Sequence, residues 1–309
     1  MIAVLRWLLP LQLSLAALVM WVWLYLRYGQ EHMPEPCPDV LANPPYDWTP
    51  AQVSFLCNWG ELCPQDMIAT MVDLACRGAI NLDAEPVSVF KGGGLLGVDQ
   101  EYRYFVSRNA AHSGELSPSE RYLIEQVLML TAASHARVPL TDLMIEGARN
   151  AGDACGRVEH WRTLAKQEPQ PVPLDDPSSL DKSWTGAAIG VALALLFYPL
   201  VMLLPSPYPI GLVAVGGALA LGSKAIRRRS QEAVNAFCRW QAYRAHLAAL
   251  GDLPELPVQA IVLAGRPLAY AISFGIARAA TDPFRLLYPD SQTLLSAQGA
   301  YPSAFTRRL

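Results

Sequence analysis

The sequence predicts a mainly α-helical integral membrane protein, with three transmembrane helices and a cytoplasmic α+β domain of winged-helix-like layout. Two uncharged stretches predict the membrane helices, and helix and hairpin signals between them predict the domain. The chain is 52% hydrophobic and only 17% charged, whereas soluble proteins average about 25% charged residues. The predicted segments are an N-terminal anchor (1–28), an acidic cytoplasmic domain (29–166), a proline- and acid-rich linker (167–182), a membrane hairpin (183–226), a cytoplasmic helical segment (227–280) and a tail (281–309).

The first uncharged stretch, residues 7–26, is long enough to cross a hydrocarbon core of about 30 Å. Trp21, Trp23 and Tyr25 lie at its C-terminal end, and aromatic side chains favour the membrane interface. A cleaved signal peptide has a shorter apolar core followed by small residues, whereas the residues here are bulky. We therefore expect a retained anchor.

The second uncharged stretch, residues 183–223, is too long for one span, and the prolines of PSPYP at 205–209 interrupt it. The sequence predicts two spans, at about 183–204 and 207–226, with a re-entrant hairpin as the alternative. Small residues recur every fourth position in each half, which predicts close packing of the two helices. These residues are Gly186, Gly190 and Ala194 in the first half, and Ala214, Ala218 and Gly222 in the second.

Charge predicts the orientation and the partners. Lys182, Lys224 and Arg227–Arg229 flank the hairpin, and basic flanks stay in the cytoplasm, here of a bacterial cell with an inner membrane. The preceding region, 31–181, holds 10 Lys/Arg against 22 Asp/Glu, a net charge of −12, which disfavours nucleic acid as a partner. The basic region 224–309 suits an anionic membrane surface.

Local signals predict the elements of the polar domain. Thr49-Pro50, Pro64 and Ser117 each mark the start of a helix, and Ser117 with Glu120 has the spacing of a capping box. Gly78 marks the end of the second helix. Two extended runs, 79–90 and 101–108, surround a glycine-rich loop and predict a hairpin. Further helices are expected near Thr141 and over 153–166.

A helix–helix–hairpin order is typical of winged-helix domains, many of which bind DNA. The second predicted helix, however, carries Asp66 and Asp73 beside a single basic residue, Arg77, and a DNA-reading helix needs a basic surface. We therefore interpret the domain as a protein-interaction module.

Beyond the hairpin, residues 229–250 predict an amphipathic helix that packs on the cytoplasmic domain or lies on the membrane surface. Residues 256–279 are apolar, but Arg266-Pro267 interrupts them, so a fourth span is not expected. The apolar stripe of the 229–250 helix consists of Phe237, Trp240, Tyr243, Leu247 and Leu250.

No motif nominates a catalytic residue, a cofactor site or a metal site. The six cysteines and five histidines have no metal-binding spacing, and Gly92–Gly94 lacks the Lys-Ser/Thr of a phosphate-binding loop. Asp66, Asp73 and Arg77 share a helix and offer the one arrangement on which a membrane-interface enzyme could be built. Their spacing is more typical of a solvated helix face.

Five segments resemble the C-terminal region of the predicted bacterial and archaeal membrane proteins called "domain of unknown function 2207". The resemblance implies a cytoplasmic winged-helix-like segment and a membrane hairpin, but no activity and no site residues. Family members commonly carry an extracytoplasmic β-domain before the first span, whereas this chain starts at the span. The segments are PPYDWTPAQVSFL (44–56), DMIATMVDLACRGAINL (66–82), LSPSERYLIEQVL (116–128), FCRWQAYRAHL (237–247) and LAYAISFGIA (268–277).

These observations predict a non-enzymatic docking or assembly module whose partners are the lipid bilayer and either another protein or a second copy of the chain. No small-molecule ligand is identifiable. A membrane-interface enzyme is the first alternative. A transporter or channel subunit is the second, and it is disfavoured because the polar residues of the predicted spans, such as Gln12, Ser14 and Thr185, are neutral.

Overall fold

A computed structural model describes residues 12, 15–90, 98–109, 111, 114–128, 137–139, 151–203, 208–249 and 265–276. This part of the chain is mainly helical, with one small sheet. In chain order its elements are α1 (Leu15–Gly29), α2 (Pro50–Cys57), α3 (Pro64–Cys76), β1 (Ile80–Phe90), β2 (Val98–Arg108), α4 (Pro118–Tyr122), β3 (Val138–Pro139), α5 (Ala151–Gln167), α6 (Pro177–Leu203), α7 (Tyr208–Gly222), α8 (Gln231–Ala249) and α9 (Arg266–Ser273).

The chain forms two compact units, and each unit combines distant segments. The first unit, called the helical unit below, contains residues 1–37 and 172–238. The second, called the polar unit, contains residues 38–171 and 239–309. In each unit, the two segments are separated in sequence by a segment of the other unit. The core of a unit is therefore complete only when both of its segments have come together.

In the helical unit, α6 and α7 pack so closely that only glycine fits at the contact. A Cβ atom added to Gly190 would lie 2.5 Å from the backbone nitrogen of Ala220, and one added to Gly216 would lie 2.7 Å from that of Ala194. Ser183 adds a hydrogen bond across the pair, from its Oγ to the carbonyl oxygen of Ser223 at 2.8 Å. Small residues allow this backbone approach.

The small-residue stripe predicted on α6 lies at this contact, but the stripe predicted on α7 does not. Ala214 and Ala218 are exposed, and Gly216 and Ala220 occupy the contact instead. Because α7 is apolar on all sides, its sequence does not distinguish the packed face from the outer one. The helical unit also has a small apolar core that includes a residue of α1; its buried members are Ala17, Leu193, Phe197 and Leu219.

The prediction of three transmembrane helices is wrong. Within the described residues, one helical stretch, Pro177–Pro199 of α6, is long and apolar enough to cross a membrane. The described parts of two further apolar helices, Leu15–Gly29 and Val213–Ile226, are shorter than this. The α-helical part of α7 has 15 residues, which at 1.5 Å per residue spans about 22 Å of a hydrocarbon core of about 30 Å.

Helix α6 begins at Pro177, inside the segment predicted as a linker, because ion pairs hold the preceding acids. Asp175 pairs with Arg227 at 2.6 Å, and Asp176 pairs with Arg228 at the same distance. Although burial opposes the shift, hydrogen bonds from Ser178, His32 and Arg228 hold the pKa of Asp176 far below its usual range. Two of the arginines expected to flank the hairpin as free charges are therefore neutralised by linker carboxylates.

In the polar unit, the predicted helix starts are confirmed by their cap geometry. Thr49 accepts a hydrogen bond from the backbone of Gln52, whose side chain accepts one from the Thr49 backbone. Ser117 and Glu120 form the same reciprocal pair at α4, which continues as a π-helical turn over Leu123–Val127. Gly78 follows α3 with a φ of 73°, a conformation that glycine adopts without strain.

The predicted hairpin is also confirmed. Strands β1 and β2 pair antiparallel, with Ile80 opposite Arg108 and Phe90 opposite Val98. The short strand β3 joins the other side of β2, so the sheet order is β1-β2-β3. The glycine-rich tip at 91–97, the helix expected near Thr141, and the tail at 281–309 lie outside the described residues.

The C-terminal helices complete the core of the polar unit. Trp240, Tyr243 and Leu247 of the predicted α8 stripe are buried there, which favours packing on the domain over lying on the membrane surface. Helix α9 packs against α2 and α3, and residues 268–273 are all buried. The described part of the apolar segment 256–279, from Gly265 to Ile276, thus contributes to the core of the polar unit. The winged-helix-like layout remains a prediction.

We expect Gly190→Ala to destabilise the α6–α7 pair by about 1–3 kcal/mol, because the added methyl group overlaps backbone atoms that cannot move aside. Gly217→Ala is the matched control, since a Cβ at Gly217 meets nothing within 4 Å. Thermal unfolding of the detergent-solubilised chain measures both variants. Equal melting temperatures for the two would contradict the close packing.

Candidate functional site

The most concentrated chemistry in the polar unit is a set of buried carboxylates held by arginines. Asp73 of α3 is fully buried, and its Oδ1 accepts a hydrogen bond from Arg266 Nε at 2.8 Å. Its Oδ2 lies 2.9 Å from Nε of Arg77, one helical turn further along α3. Burial raises the pKa of Asp73, and the charges of Arg77 and Arg266 counteract part of that rise. One acid thus joins α3 to α9.

Arg77 extends this network to α4. Its guanidinium hydrogen-bonds Glu120, which is buried, and Glu120 at the same time accepts the backbone N–H of Ser117 at 3.0 Å. The capping box that starts α4 is therefore tied to the end of α3. The sequence motif predicts the capping hydrogen bonds between Ser117 and Glu120, whereas the ion pair between Arg77 and Glu120 depends on the tertiary fold.

Arg266 extends the network to the segment before α2. Its guanidinium pairs with Asp47 and donates to the carbonyl oxygen of Trp48 at 3.1 Å. Tyr270, one turn later in α9, donates its hydroxyl to the same carbonyl at 2.6 Å. The hydrogen bond from Arg266 lowers the pKa of Asp47, which is largely exposed, and burial raises the pKa of Tyr270. Arg266 thus joins α9 to α3 and to the entry of α2.

Asp66, seven residues before Asp73, is fully buried, and none of the arginines that the structure describes forms an ion pair with it. Its Oδ2 accepts hydrogen bonds from Ser54 Oγ at 2.7 Å and from the Cys63 backbone at 2.5 Å. Its Oδ1 lies 2.8 Å from Ser273 Oγ. Helices α2, α3 and α9 therefore meet at this one carboxyl group.

The hydroxyl of Ser273 can hydrogen-bond Asp66 in either protonation state. Ser273 Oγ lies within hydrogen-bond distance of two oxygens, Asp66 Oδ1 and the Pro50 carbonyl at 3.2 Å, but it has one proton to donate. If Ser273 donates to Pro50, the second contact is a hydrogen bond only when Asp66 carries a proton. Burial raises the pKa of Asp66 to about 6, although the hydrogen bonds from Ser54, Cys63 and Ser273 and the charge of Arg162 oppose this. Asp66 is thus suited to hold a proton in the folded chain.

An aromatic cluster lies beside the arginine network and is centred on Trp240. The Trp240 ring is fully buried, and the nearest ring centroid, that of Tyr270, is 5.1 Å away. Tyr46 and Trp48 stack at 4.8 Å and flank it on the side of the entry segment. Such contacts add to the apolar burial that holds the helices together. The other rings within 6.5 Å of Trp240 are Tyr243 and Phe274.

The prediction that Asp66, Asp73 and Arg77 form a solvated helix face is wrong, because both acids are fully buried. Their partners, Arg266 and Ser273, are about two hundred residues away in sequence, and helical spacing carries no information about them. Asp66 and Asp73 therefore do not form the exposed acidic helix face on which the sequence argument against DNA binding depends. The structure does place the three nominated residues in one network.

Sequence reasoning missed Arg266, Asp47, Ser54 and Ser273 as members of this network. A signal existed for Arg266, since a charged residue within an apolar segment requires a buried partner. Ser54 and Ser273 carried no such signal, because a single serine in a helix is common. Asp66, which both serines contact, likewise resembles a surface residue in the sequence.

Three other groups are candidate site residues by type: the histidines, the cysteines and Gly92–Gly94. His160 packs against the Tyr122 ring and His246 against the Tyr243 ring, while His32 lies 3.1 Å from Asp176. None of the six cysteines, all of which lie in the described part of the chain, forms a disulfide. Among the described residues, no group of three or more His, Cys, Asp or Glu could hold a metal ion. Gly92–Gly94 lies outside the described residues.

We expect Arg266→Ala to destabilise the polar unit by about 3 kcal/mol, because it leaves the buried Asp73 with one arginine in place of two. Asp47→Asn is the control: it alters the exposed end of the same network and is expected to cost less than about 0.5 kcal/mol. Chemical denaturation followed by tryptophan fluorescence measures both, since Trp48 and Trp240 lie in this core. A small effect of Arg266→Ala would argue against its central role.

Asp66 predicts a pH dependence of stability with a definite sign. Its folded pKa of about 6 lies above the unfolded value, so the folded chain binds the proton more tightly. The resulting stabilisation is fully present below about pH 4 and is lost as the pH rises through about 6. Between pH 5 and pH 7.5 this loss amounts to about 1.5 kcal/mol.

Asp66→Asn tests this assignment, because an amide can donate to Ser273 at any pH. The free energy of unfolding of the variant, relative to the parent chain, should therefore rise by about 1.5 kcal/mol between pH 5 and pH 7.5. The difference between the two chains cancels the titration of the other acids. A difference that does not change with pH would show that Asp66 is ionised throughout.

Comparison with known proteins agrees with the resemblance noted in the sequence. The model of one family, described as "Predicted membrane protein (DUF2207) C-terminal domain", matches residues 39–284. No curated protein and no solved structure matches the chain. The match covers most of the chain and includes α2 to α9, with the whole acid–arginine network. The chain therefore belongs to the DUF2207 family of predicted membrane proteins, of which it carries the C-terminal domain.

Proposed function

We propose that this chain is a non-enzymatic docking or assembly module, in which the helical unit attaches to the membrane and the polar unit presents a protein-binding surface in the cytoplasm. The observation that supports this proposal is the way in which the buried acidic groups are bonded within the polar unit. Asp66, Asp73 and Glu120 lie within hydrogen-bond distance of Ser273, Arg266 and Arg77, respectively, and so join α3 and α4 to other elements of the polar unit. A network of this kind fixes the shape of a domain and leaves its recognition to the surface.

That surface carries exposed acidic residues. Three of the carboxylates in the acidic stretch are buried in the network, whereas Asp39, Glu61, Asp83 and Glu115 are exposed. An exposed acidic surface accelerates and orients association with a basic partner and repels an acidic one. We therefore propose that the docking partner presents a basic surface.

The membrane attachment draws support from the exposed apolar side chains. Large apolar residues such as Trp184 and Leu195 point outward from α6, with 72% and 67% of their surface exposed. Their neighbours in the same helix are also apolar, and an exposed apolar helix surface of this kind suits lipid. Lys182 and Lys224 support a cytoplasmic position for the polar unit.

Affinity capture from native membranes after crosslinking tests the docking role. We expect the full chain to capture a partner or a second copy of itself, and Asp39→Lys combined with Glu115→Lys to reduce the capture at least fivefold. The matched control reverses two exposed acids of the helical unit, Asp181→Lys with Glu232→Lys, and should capture as well as the parent chain.

Capture of nothing, or equal loss in both variants, would contradict a docking surface on the polar unit.

The same membranes can show on which side of the bilayer the polar unit lies, because Cys155 is an exposed thiol on α5. A membrane-impermeant maleimide should label Cys155 in inverted vesicles and not in intact cells, with Cys155→Ser as the reference. Labelling in intact cells would place the polar unit outside.

A further inference from the structure

The end of α1 is built differently from an ordinary helix end. Its last turn, Tyr25–Gly29, is π-helical, a conformation that is rare and frequently found at functional sites. Gly29 allows this turn to pack against the segment after α7, since a Cβ there would lie 3.2 Å from the Ala225 carbonyl oxygen and from the Ile226 Cα. The turn therefore holds Tyr28 at a fixed place in the helical unit.

Two cations converge on the ring of Tyr28. The guanidinium carbon of Arg27 lies 5.9 Å from the ring centroid, and the ammonium nitrogen of Lys182, from α6, lies 5.8 Å from it. Trp23 contacts the same ring edge-on at 6.2 Å. Two helices thus bring one positive charge each to a shared aromatic surface.

These cations differ from the three arginines that follow α7. Arg227, Arg228 and Arg229 each pair with a carboxylate of the chain. Among the described residues, the structure gives Arg27 and Lys182 no carboxylate partner. Two like charges near one ring repel each other, and an anion that binds both would remove the repulsion.

The surroundings favour a lipid as the source of that anion. Lys182 lies near the start of α6, the helix whose Pro177–Pro199 stretch can cross a membrane, and so at the depth of the headgroups. Trp23 and Trp184 are 58% and 72% exposed, and indole rings favour that same interface. A long basic side chain at a helix end reaches headgroup phosphates while its methylene groups stay in an apolar environment.

We propose that Arg27 and Lys182, arranged around Tyr28, bind the phosphate group of an anionic phospholipid. The phosphate accepts hydrogen bonds from both cations, and Trp23 lies against the start of the acyl chains. The site gives the protein a preference for anionic over zwitterionic lipid that general surface charge does not provide.

The test measures binding of phosphatidylglycerol to the full chain in phosphatidylcholine nanodiscs, by native mass spectrometry and by the rise in melting temperature. Arg27→Gln and Lys182→Gln should each weaken phosphatidylglycerol binding about fivefold, and together about 25-fold, as expected for loss of one surface cation at a time. Lys224→Gln is the matched control, since Lys224 is an exposed cation near the end of the same unit. It should change the affinity less than twofold.

Unchanged phosphatidylglycerol affinity in the double variant would overturn the proposal. So would an equal loss in the Lys224 control, which would indicate general surface charge. Protection of the detergent-solubilised chain by inorganic phosphate, at the same strength as by phosphatidylglycerol, would assign the site to free phosphate. If the double variant does not fold, a phosphatidylglycerol carrying a photoreactive headgroup is used on the parent chain. Labels on residues 23–28 and 182–184 would support the site, and labels found elsewhere alone would overturn it.

Discussion

The ion pair between Arg266 and Asp73 is the interaction on which the polar unit depends. Without α9 the fully buried Asp73 would lose one of its two arginines, a loss that is strongly destabilising, so the position of α3 in the core depends on α9. The same guanidinium also reaches Asp47 and the carbonyl oxygen of Trp48, which sets the entry to α2. Through Arg77 the network continues to the capping box of α4. One arginine of a short C-terminal helix thus positions three earlier elements.

The sequence predicted those parts of the structure that are encoded locally. The capping boxes at Thr49 and Ser117, the glycine stop at Gly78 and the β1–β2 hairpin involve residues close together in sequence, and all are present. The buried network was not predictable in the same way, because Asp73 and Arg266 are 193 residues apart. A single sequence shows two acids on a helix but not the partner that makes their burial possible. Apolar composition alone does not give the length of a helix, and the described α-helical part of α7 has only 15 residues.

The five segments that resemble the family contribute most of the groups that hold the polar unit together. Asp47 and Trp48 come from the first, Asp66, Asp73 and Arg77 from the second, Glu120 from the third, Trp240 from the fourth and Ser273 from the last. They contact one another across α2, α3, α4, α8 and α9. The features by which the chain is recognised are therefore largely those of a packed core with buried charges. This explains how a sequence can identify the family clearly while giving little indication of its activity.

The discontinuous composition of the two units has a consequence for synthesis on the ribosome. At about 5–20 residues per second, Arg266 is translated roughly 10–40 s after Asp73. In that interval both apolar helices, α6 and α7, leave the ribosome, while the acids of α3 still lack Arg266 and Ser273. The segment that contains α3 is therefore translated well before the residues that complete its core, and the polar unit closes only after α9 has been made.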